Sequence, residues 1–134
     1  MSSVIEIEGI GEVYAGKLHE AGIATTESLL EKGATPRGRK ELAEHTGISE
    51  TLILKWVNRA DLFRVPGVGE QYSDLLAAAG VETVLELAQR RPDHLHEKLV
   101  ETNEAKRLVR VVPSLEHVTD WVEQARKLSR VVSY

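Results

Sequence analysis

Ile7-Glu8-Gly9-Ile10-Gly11-Glu12-Val13-Tyr14 reads as a tight Gly-Ile-Gly hairpin that feeds, through Ala15-Gly16-Lys17-Leu18-His19-Glu20-Ala21-Gly22, directly into a helix. A hairpin this short calls for backbone angles open mainly to glycine, and the missing side chains let other atoms approach its N–H groups. Those N–H groups also start the next helix, where no carbonyl partner exists for them. Such a structure can bind a phosphate, or it can simply turn a corner. The functional question turns on which of the two this is.

The stretch occurs twice. A shift of 58 residues lays Gly9, Gly11, Glu12, Tyr14, Leu18, Ala21, Gly22, Thr25 and Leu29 on Gly67, Gly69, Glu70, Tyr72, Leu76, Ala79, Gly80, Thr83 and Leu87, and all nine pairs are identical. A second block, Trp56-Val57-Asn58-Arg59-Ala60, matches Trp121-Val122-Glu123-Gln124-Ala125 at a shift of 65, so the second copy carries seven extra residues between the blocks. Self-similarity at a fixed offset marks one supersecondary unit used twice. The expected repeats are 1–64 and 65–134, joined at Leu62-Phe63-Arg64-Val65-Pro66 without a Gly/Ser-rich linker, which points to two apposed halves. Charge does not separate them: 1–64 carries 8 basic and 10 acidic groups, 65–134 carries 9 and 11, and each half is −2.

The periodicity is helical almost throughout. Val13, Tyr14, Leu18 and Ala21 form one apolar face, closed by Gly22 as a C-terminal glycine. Thr25 caps a short helix ended by Gly33, and Thr35-Pro36 is a cap with a first-turn proline, starting a helix with Leu42 and Ala43. Thr46-Gly47-Ile48-Ser49 makes a further hairpin, and Ser49 caps a helix whose Leu52, Ile53, Trp56, Val57 and Ala60 form a buried stripe. In the second copy Gly67-Val68-Gly69 opens a helix ended by Gly80. Thr83 and Glu86 form a capping box, and Pro92-Asp93 starts a helix through Leu95, Leu99 and Val100. The insertion is expected to extend Glu104 to Val111 into an extra or longer helix. The counterpart of the 46–49 hairpin is Val111-Val112-Pro113-Ser114, whose proline has no N–H to offer a phosphate. No run alternates convincingly enough for a strand, so the fold class is all-α.

Composition narrows the function. The chain has 134 residues, 42% apolar, which is enough for a real core. No apolar run approaches the about 18 residues of a spanning helix, and no basic-then-apolar leader opens the chain. With no cysteine, disulfides, thiolate metal sites and cysteine catalysis drop out. A soluble cytoplasmic protein is the natural expectation. The net charge of −4 argues against indiscriminate polyanion binding.

Gly-Ile-Gly and Gly-Val-Gly followed by helices resemble helix-hairpin-helix motifs. The half from Gly9 to Ala60, with Lys17-Leu18-x-x-Ala21-Gly22 and Thr46-Gly47-Ile48-Ser49, is similar to the small helical N-terminal domain of the RecA-like recombinases of archaea and eukaryotes. The Trp56-Val57-Asn58-Arg59-Ala60-Asp61-Leu62 ending before a second Gly-x-Gly resembles an uncharacterised bacterial domain-of-unknown-function family with tandem hairpins. The resemblance covers almost the whole chain and implies two tandem helix-hairpin-helix (SAM-domain-like) bundles packed together. Its functional content is looser, since such hairpins serve DNA binding, protein contacts or packing.

On the nucleic-acid reading, Gly9, Ile10 and Gly11, Gly47, Ile48 and Ser49, and Gly67, Val68 and Gly69 supply amides, with Lys17, Lys106, Arg107 and Arg110 as the leading cations. Lys55, Arg59, Arg64, Arg37, Arg39, Lys40, Arg90 and Arg91 are further candidates. Glu8 and Glu12 bracket the first hairpin and Glu70 follows the second, and a carboxylate there repels a phosphate although it suits a helix start. Trp56 and Trp121 could stack on bases, yet their matching apolar stripes make them core residues. His94-x-His96 puts two rings on different helix faces, whereas helical ligand histidines sit four apart, so no metal is expected. No nucleophile–base pair, P-loop or dinucleotide loop is present, so neither an enzyme nor a cofactor is expected. The preferred expectation is a protein-interaction or assembly adaptor, binding an unidentified protein or itself and no membrane. The alternative is weak, sequence-independent DNA or RNA backbone binding.

Overall fold

A computed structural model describes residues 3–134. Eight α-helices make up the fold among these residues: α1 (Glu12–Glu20), α2 (Thr26–Gly33), α3 (Pro36–Thr46), α4 (Glu50–Leu62), α5 (Glu70–Ala78), α6 (Val84–Gln89), α7 (Pro92–Lys106) and α8 (Leu115–Lys127). A short 3₁₀ turn, Val4–Glu6, precedes α1, and the extended pairing among the described residues is one antiparallel bridge between Ser3 and Thr25. The fold is all-α. The chain divides into two compact units, one of Met1–Asp61 with Arg130–Tyr134 and one of Leu62–Ser129. Arg130–Tyr134, which follow the second copy in sequence, thus group with the first.

The repeated stretch builds the same object in each unit. The Ile7 amide bonds the Val4 carbonyl at 3.0 Å and the Ile10 amide bonds the Ile7 carbonyl at 3.1 Å. In the second unit Val65 bonds Leu62 at 3.1 Å and Val68 bonds Val65 at 3.0 Å. All six side chains are buried. The second link of each ladder is a type II turn, Ile7–Ile10 or Val65–Val68, with a glycine at its third position: Gly9 at φ +92° and Gly67 at φ +90°. Pro66 occupies the second position of the later turn, where its fixed φ suits type II. The second glycine of each motif is different. Gly11 and Gly69 are N-caps at φ −86° and −103°, ordinary extended backbone that demands no glycine. Only the first glycine of each Gly-x-Gly answers a conformational need.

Each hairpin helix ends alike as well. Gly22 and Gly80 take φ +83° and +96°, and Ile23 and Val81 reach back to the Leu18 and Leu76 carbonyls at 2.8 Å, which closes a Schellman motif. Thr25, Thr35, Ser49, Thr83 and Ser114 cap the helices that follow them through their hydroxyl oxygens. The Thr83–Glu86 capping box differs from its expected form: Glu86 accepts from the Glu82 amide and the Thr83 hydroxyl, not from the Thr83 amide.

In unit 1 α2 and α1 pack on α3. Gly33 is the last residue of α2, and it is there for space: a Cβ at Gly33 would collide with the Val57 side chain on α4. In unit 2 α6 and α7 pack on α8, and α5 on α7, around Leu75, Leu76, Leu87, Leu95, Leu99 and Trp121. The insertion is shared between helix and loop. α7 has 15 residues against 11 in α3, but it stops at Lys106 because Arg107 turns left-handed at φ +50°. The expected helix through Val111 is therefore absent. Asn103 holds the loop instead, its amide side chain donating to the Val109 carbonyl and accepting from the Val109 amide, both at 3.0 Å.

Candidate functional site

Each hairpin sits on a tryptophan. A Cβ at Gly9 would lie 3.5 Å from Trp56 Nε1, and one at Gly67 would lie 3.0 Å from Trp121 Nε1. Tyr14 meets Trp56 with ring centroids 5.1 Å apart, and Tyr72 meets Trp121 at 5.3 Å. Both tryptophans are buried, so they are core and do not present faces for base stacking. Trp56 Nε1 has no hydrogen-bond partner. Its N–H lies under Gly9, where the glycine permits close approach.

The amide inventory is smaller than the sequence suggests. Ile10 and Val68 are buried, and their N–H groups close the type II turns. Gly47 donates to the Ala43 carbonyl at 2.8 Å, and Ile48 donates to the Thr46 hydroxyl at 3.2 Å. Ser49 spends its hydroxyl on the Leu52 amide. The 46–49 turn is therefore a helix stop followed by a cap, with no free amide pair. What remains is the start of α1 and of α5, where Gly11 and Gly69 provide no side-chain cap. Gly11, Glu12 and Val13 are exposed there, as are Gly69, Glu70 and Gln71. Glu12 and Glu70 stand in the first turn of each helix, which stabilises the helix and opposes an anion.

The cations are also redistributed. Lys17 Nζ lies 5.9 Å above the Tyr14 ring, beside the first hairpin. Arg59 is buried, and Arg64 donates to the Ser129 carbonyl at 3.0 Å. Arg37 pairs with Glu41, and Arg91 with Asp93, each at 3.3 Å. Arg39 is only 5% exposed and bridges the Gly33 and Ser133 carbonyls at 2.8 and 2.7 Å. Burial pulls its guanidinium below the usual arginine range, while Tyr134 and Glu50 pull the other way. Arg39 and Arg59 are structural groups, not free phosphate ligands.

Lys106, Arg107 and Arg110 remain exposed, and none makes a hydrogen bond or ion pair through its side chain among the described residues. They alternate with apolar residues that are themselves exposed: Leu108 at 39%, Val111 at 70% and Leu115 at 46%. Buried Val109 and Pro113 pin this connection to unit 2. The Tyr72 hydroxyl donates to the Val111 carbonyl at 3.1 Å, which brings the connection to the second hairpin helix. In unit 1 the same position holds only the short turn before α4. Tyr72 and Val111 are 39 residues apart, and nothing in their local sequence announces the pairing.

The family Domain of unknown function (DUF4332) matches residues 8–128. The chain belongs to it. No curated protein and no solved structure matches. The DUF4332 span takes in both hairpins, both tryptophans and the α7–α8 connection. Within it, His94 is exposed and His96 half-buried. The Asp93 carboxyl is held below the usual carboxylate range chiefly by the His94 backbone N–H, with Arg91 adding to the effect. That arrangement belongs to the start of α7. No helix among the described residues is long and apolar enough to cross a membrane.

Proposed function

We propose that this DUF4332 chain is a tandem helix-hairpin-helix protein of the cytoplasm. On this reading it is a non-enzymatic protein-interaction or assembly adaptor whose principal contact surface is the α7–α8 connection. Its hairpins resemble those of the recombinase N-terminal domain in form and serve here as scaffold. One observation carries the reading: three cations without a side-chain partner among the described residues are interleaved with three exposed aliphatic side chains from the last residue of α7 to the first of α8, along a pinned connection. A phosphate backbone gains nothing from Leu108, Val111 and Leu115, whereas a protein face that is both acidic and apolar engages every one of these groups. Affinity selection from a library of acidic, leucine-rich peptides tests this. Selected peptides should lose about tenfold or more in affinity for Val111→Asp and for Arg110→Glu. Peptides that bind both variants like the parent would sink the proposal.

A second reading rests on the two uncapped helix starts at Gly11 and Gly69: weak, sequence-independent contact with DNA or RNA backbones. Glu12→Lys/Glu70→Lys takes the net charge from −4 to 0 and removes the carboxylate beside each set of amides. Duplex binding should then strengthen well beyond a control with two lysines placed elsewhere, with a steep inverse salt dependence. Gly11→Val should reverse the gain. Equal affinities in the two lysine variants would leave the hairpins as turns.

A further inference from the structure

The end of α7 and the connection after it line an open cleft of about 460 Å³ in unit 2. Val100 on α7, with Val109 and Val112 on the connection, gives it an aliphatic lining. Arg107, Arg110 and Glu104 carry its charges: two guanidiniums against one carboxylate, which leaves one positive charge in excess. Arg107 and Arg110 are exposed, and neither side chain has a partner among the described residues. The backbone that carries them is fixed by the fold. The Arg107 amide donates to the Asn103 carbonyl at 2.7 Å, and the Asn103 side chain clasps Val109 through both its amide atoms. Arg107 is also an unfavourable residue for its place. It is the one residue other than glycine with a positive φ among the described residues. Glycine is the usual choice at a left-handed helix end, because a Cβ there is strained. Strain of this kind collects where a side chain is needed at a given point, and what Arg107 adds over glycine is a guanidinium at the cleft.

We infer that this cleft takes one carboxylate side chain of a partner protein, a glutamate or aspartate, together with an aliphatic side chain beside it. The inference rests on the adaptor reading and supplies the chemistry by which the partner is recognised. An arginine fork matches the two oxygens of a carboxylate, and the valines take the neighbouring aliphatic group out of water. The charge count selects among anions. One positive charge in excess balances one carboxylate. A phosphate monoester carries nearly two negative charges at neutral pH, so it would set an uncompensated charge against Glu104. The partner's segment is therefore acidic by carboxylates and not by phosphorylation.

The test is a titration of the full chain, followed by methyl NMR, with the blocked dipeptide acetyl-Leu-Glu-amide, whose one carboxylate is the glutamate side chain. The methyl signals of Val100, Val109 and Val112 should shift saturably. Acetyl-Leu-Gln-amide and acetyl-Gly-Glu-amide should each bind about fivefold more weakly, the first for want of charge and the second for want of aliphatic surface. Arg107→Gly separates a binding role from a structural one. Freed of the strained backbone, it should melt a few degrees above the parent, yet bind acetyl-Leu-Glu-amide about fivefold more weakly. Unmoved valine signals would overturn the inference, as would equal binding of the glutamine dipeptide. So would Arg107→Gly with parental affinity or with no gain in melting temperature. Tighter binding of acetyl-Leu-phosphoserine-amide than of the glutamate dipeptide would overturn it too, in favour of a phosphate site. The adaptor reading is judged apart, by library peptides and Val111→Asp, because Val111 is not part of the cleft lining. If those peptides respond to Val111→Asp while the dipeptide leaves the valines unmoved, only the cleft assignment falls. The reverse result removes the adaptor and leaves a carboxylate site without it.

Discussion

The two hairpins and the two connections before the tryptophan helices obey different rules. The hairpins are near copies: the same i+3 ladder, the same left-handed glycine, the same tryptophan beneath and tyrosine beside it. The connections share little. Gly47–Ser49 stops one helix and caps the next, with the Gly47 and Ile48 amides and the Ser49 hydroxyl spent internally. The stretch from Arg107 to Ser114 leaves cations and aliphatic side chains facing outward. A feature kept in both copies is one that each core requires. A feature present in one copy, exposed and without internal partners, is where a contact function has room to reside.

Replacing the tryptophans tests the similarity of the hairpins most severely. Trp56→Ala and Trp121→Ala should each lower stability by about 3–5 kcal/mol, as buried large-to-small changes do. Urea unfolding of the two variants measures this, and a parental midpoint for either would show that its tryptophan is not an equivalent core anchor. Gly33→Ala probes a contact that only unit 1 contains. Overpacking against Val57 should cost about 1–3 kcal/mol. A neutral result would mean that α2 and α4 separate at no cost.

The glycine series gives the smallest and most discriminating effects. Gly9→Ala and Gly67→Ala both place a Cβ on left-handed backbone, at about 1–2 kcal/mol. Gly67→Ala should be the worse of the two, because its Cβ approaches Trp121 Nε1 at 3.0 Å against 3.5 Å to Trp56 Nε1 for Gly9→Ala. Gly11→Ala meets nothing within 4 Å and loses only a modest N-cap preference, typically under about 1 kcal/mol. Differential scanning calorimetry can rank the three. If Gly11→Ala proves as damaging as Gly9→Ala, the division of labour within Gly-x-Gly is mistaken.

By itself, the sequence determined the features that depend on neighbours along the chain. Nine identities at one offset revealed the repeat, and the helical stripes revealed an all-α fold with Trp56 and Trp121 inside it. Thr25, Thr35 and Ser49 marked helix starts because a hydroxyl beside free amides acts locally, over three residues. Gly22 marked a helix end for the same reason. Where a cause lay further away, only the tertiary structure decided. Gly33 is required by Val57 across a helix contact, not by its own backbone. Arg39 is withdrawn from solvent by carbonyls 6 and 94 residues distant. The end of α7 was illegible because Asn103 secures the loop at Val109, so helical periodicity beyond Lys106 found no matching fold. The availability of an amide was decided in the same way. Ile10, Gly47 and Ile48 look alike as glycine-turn residues in sequence, but a hydrogen bond is spent once, and folding spends theirs inside the protein.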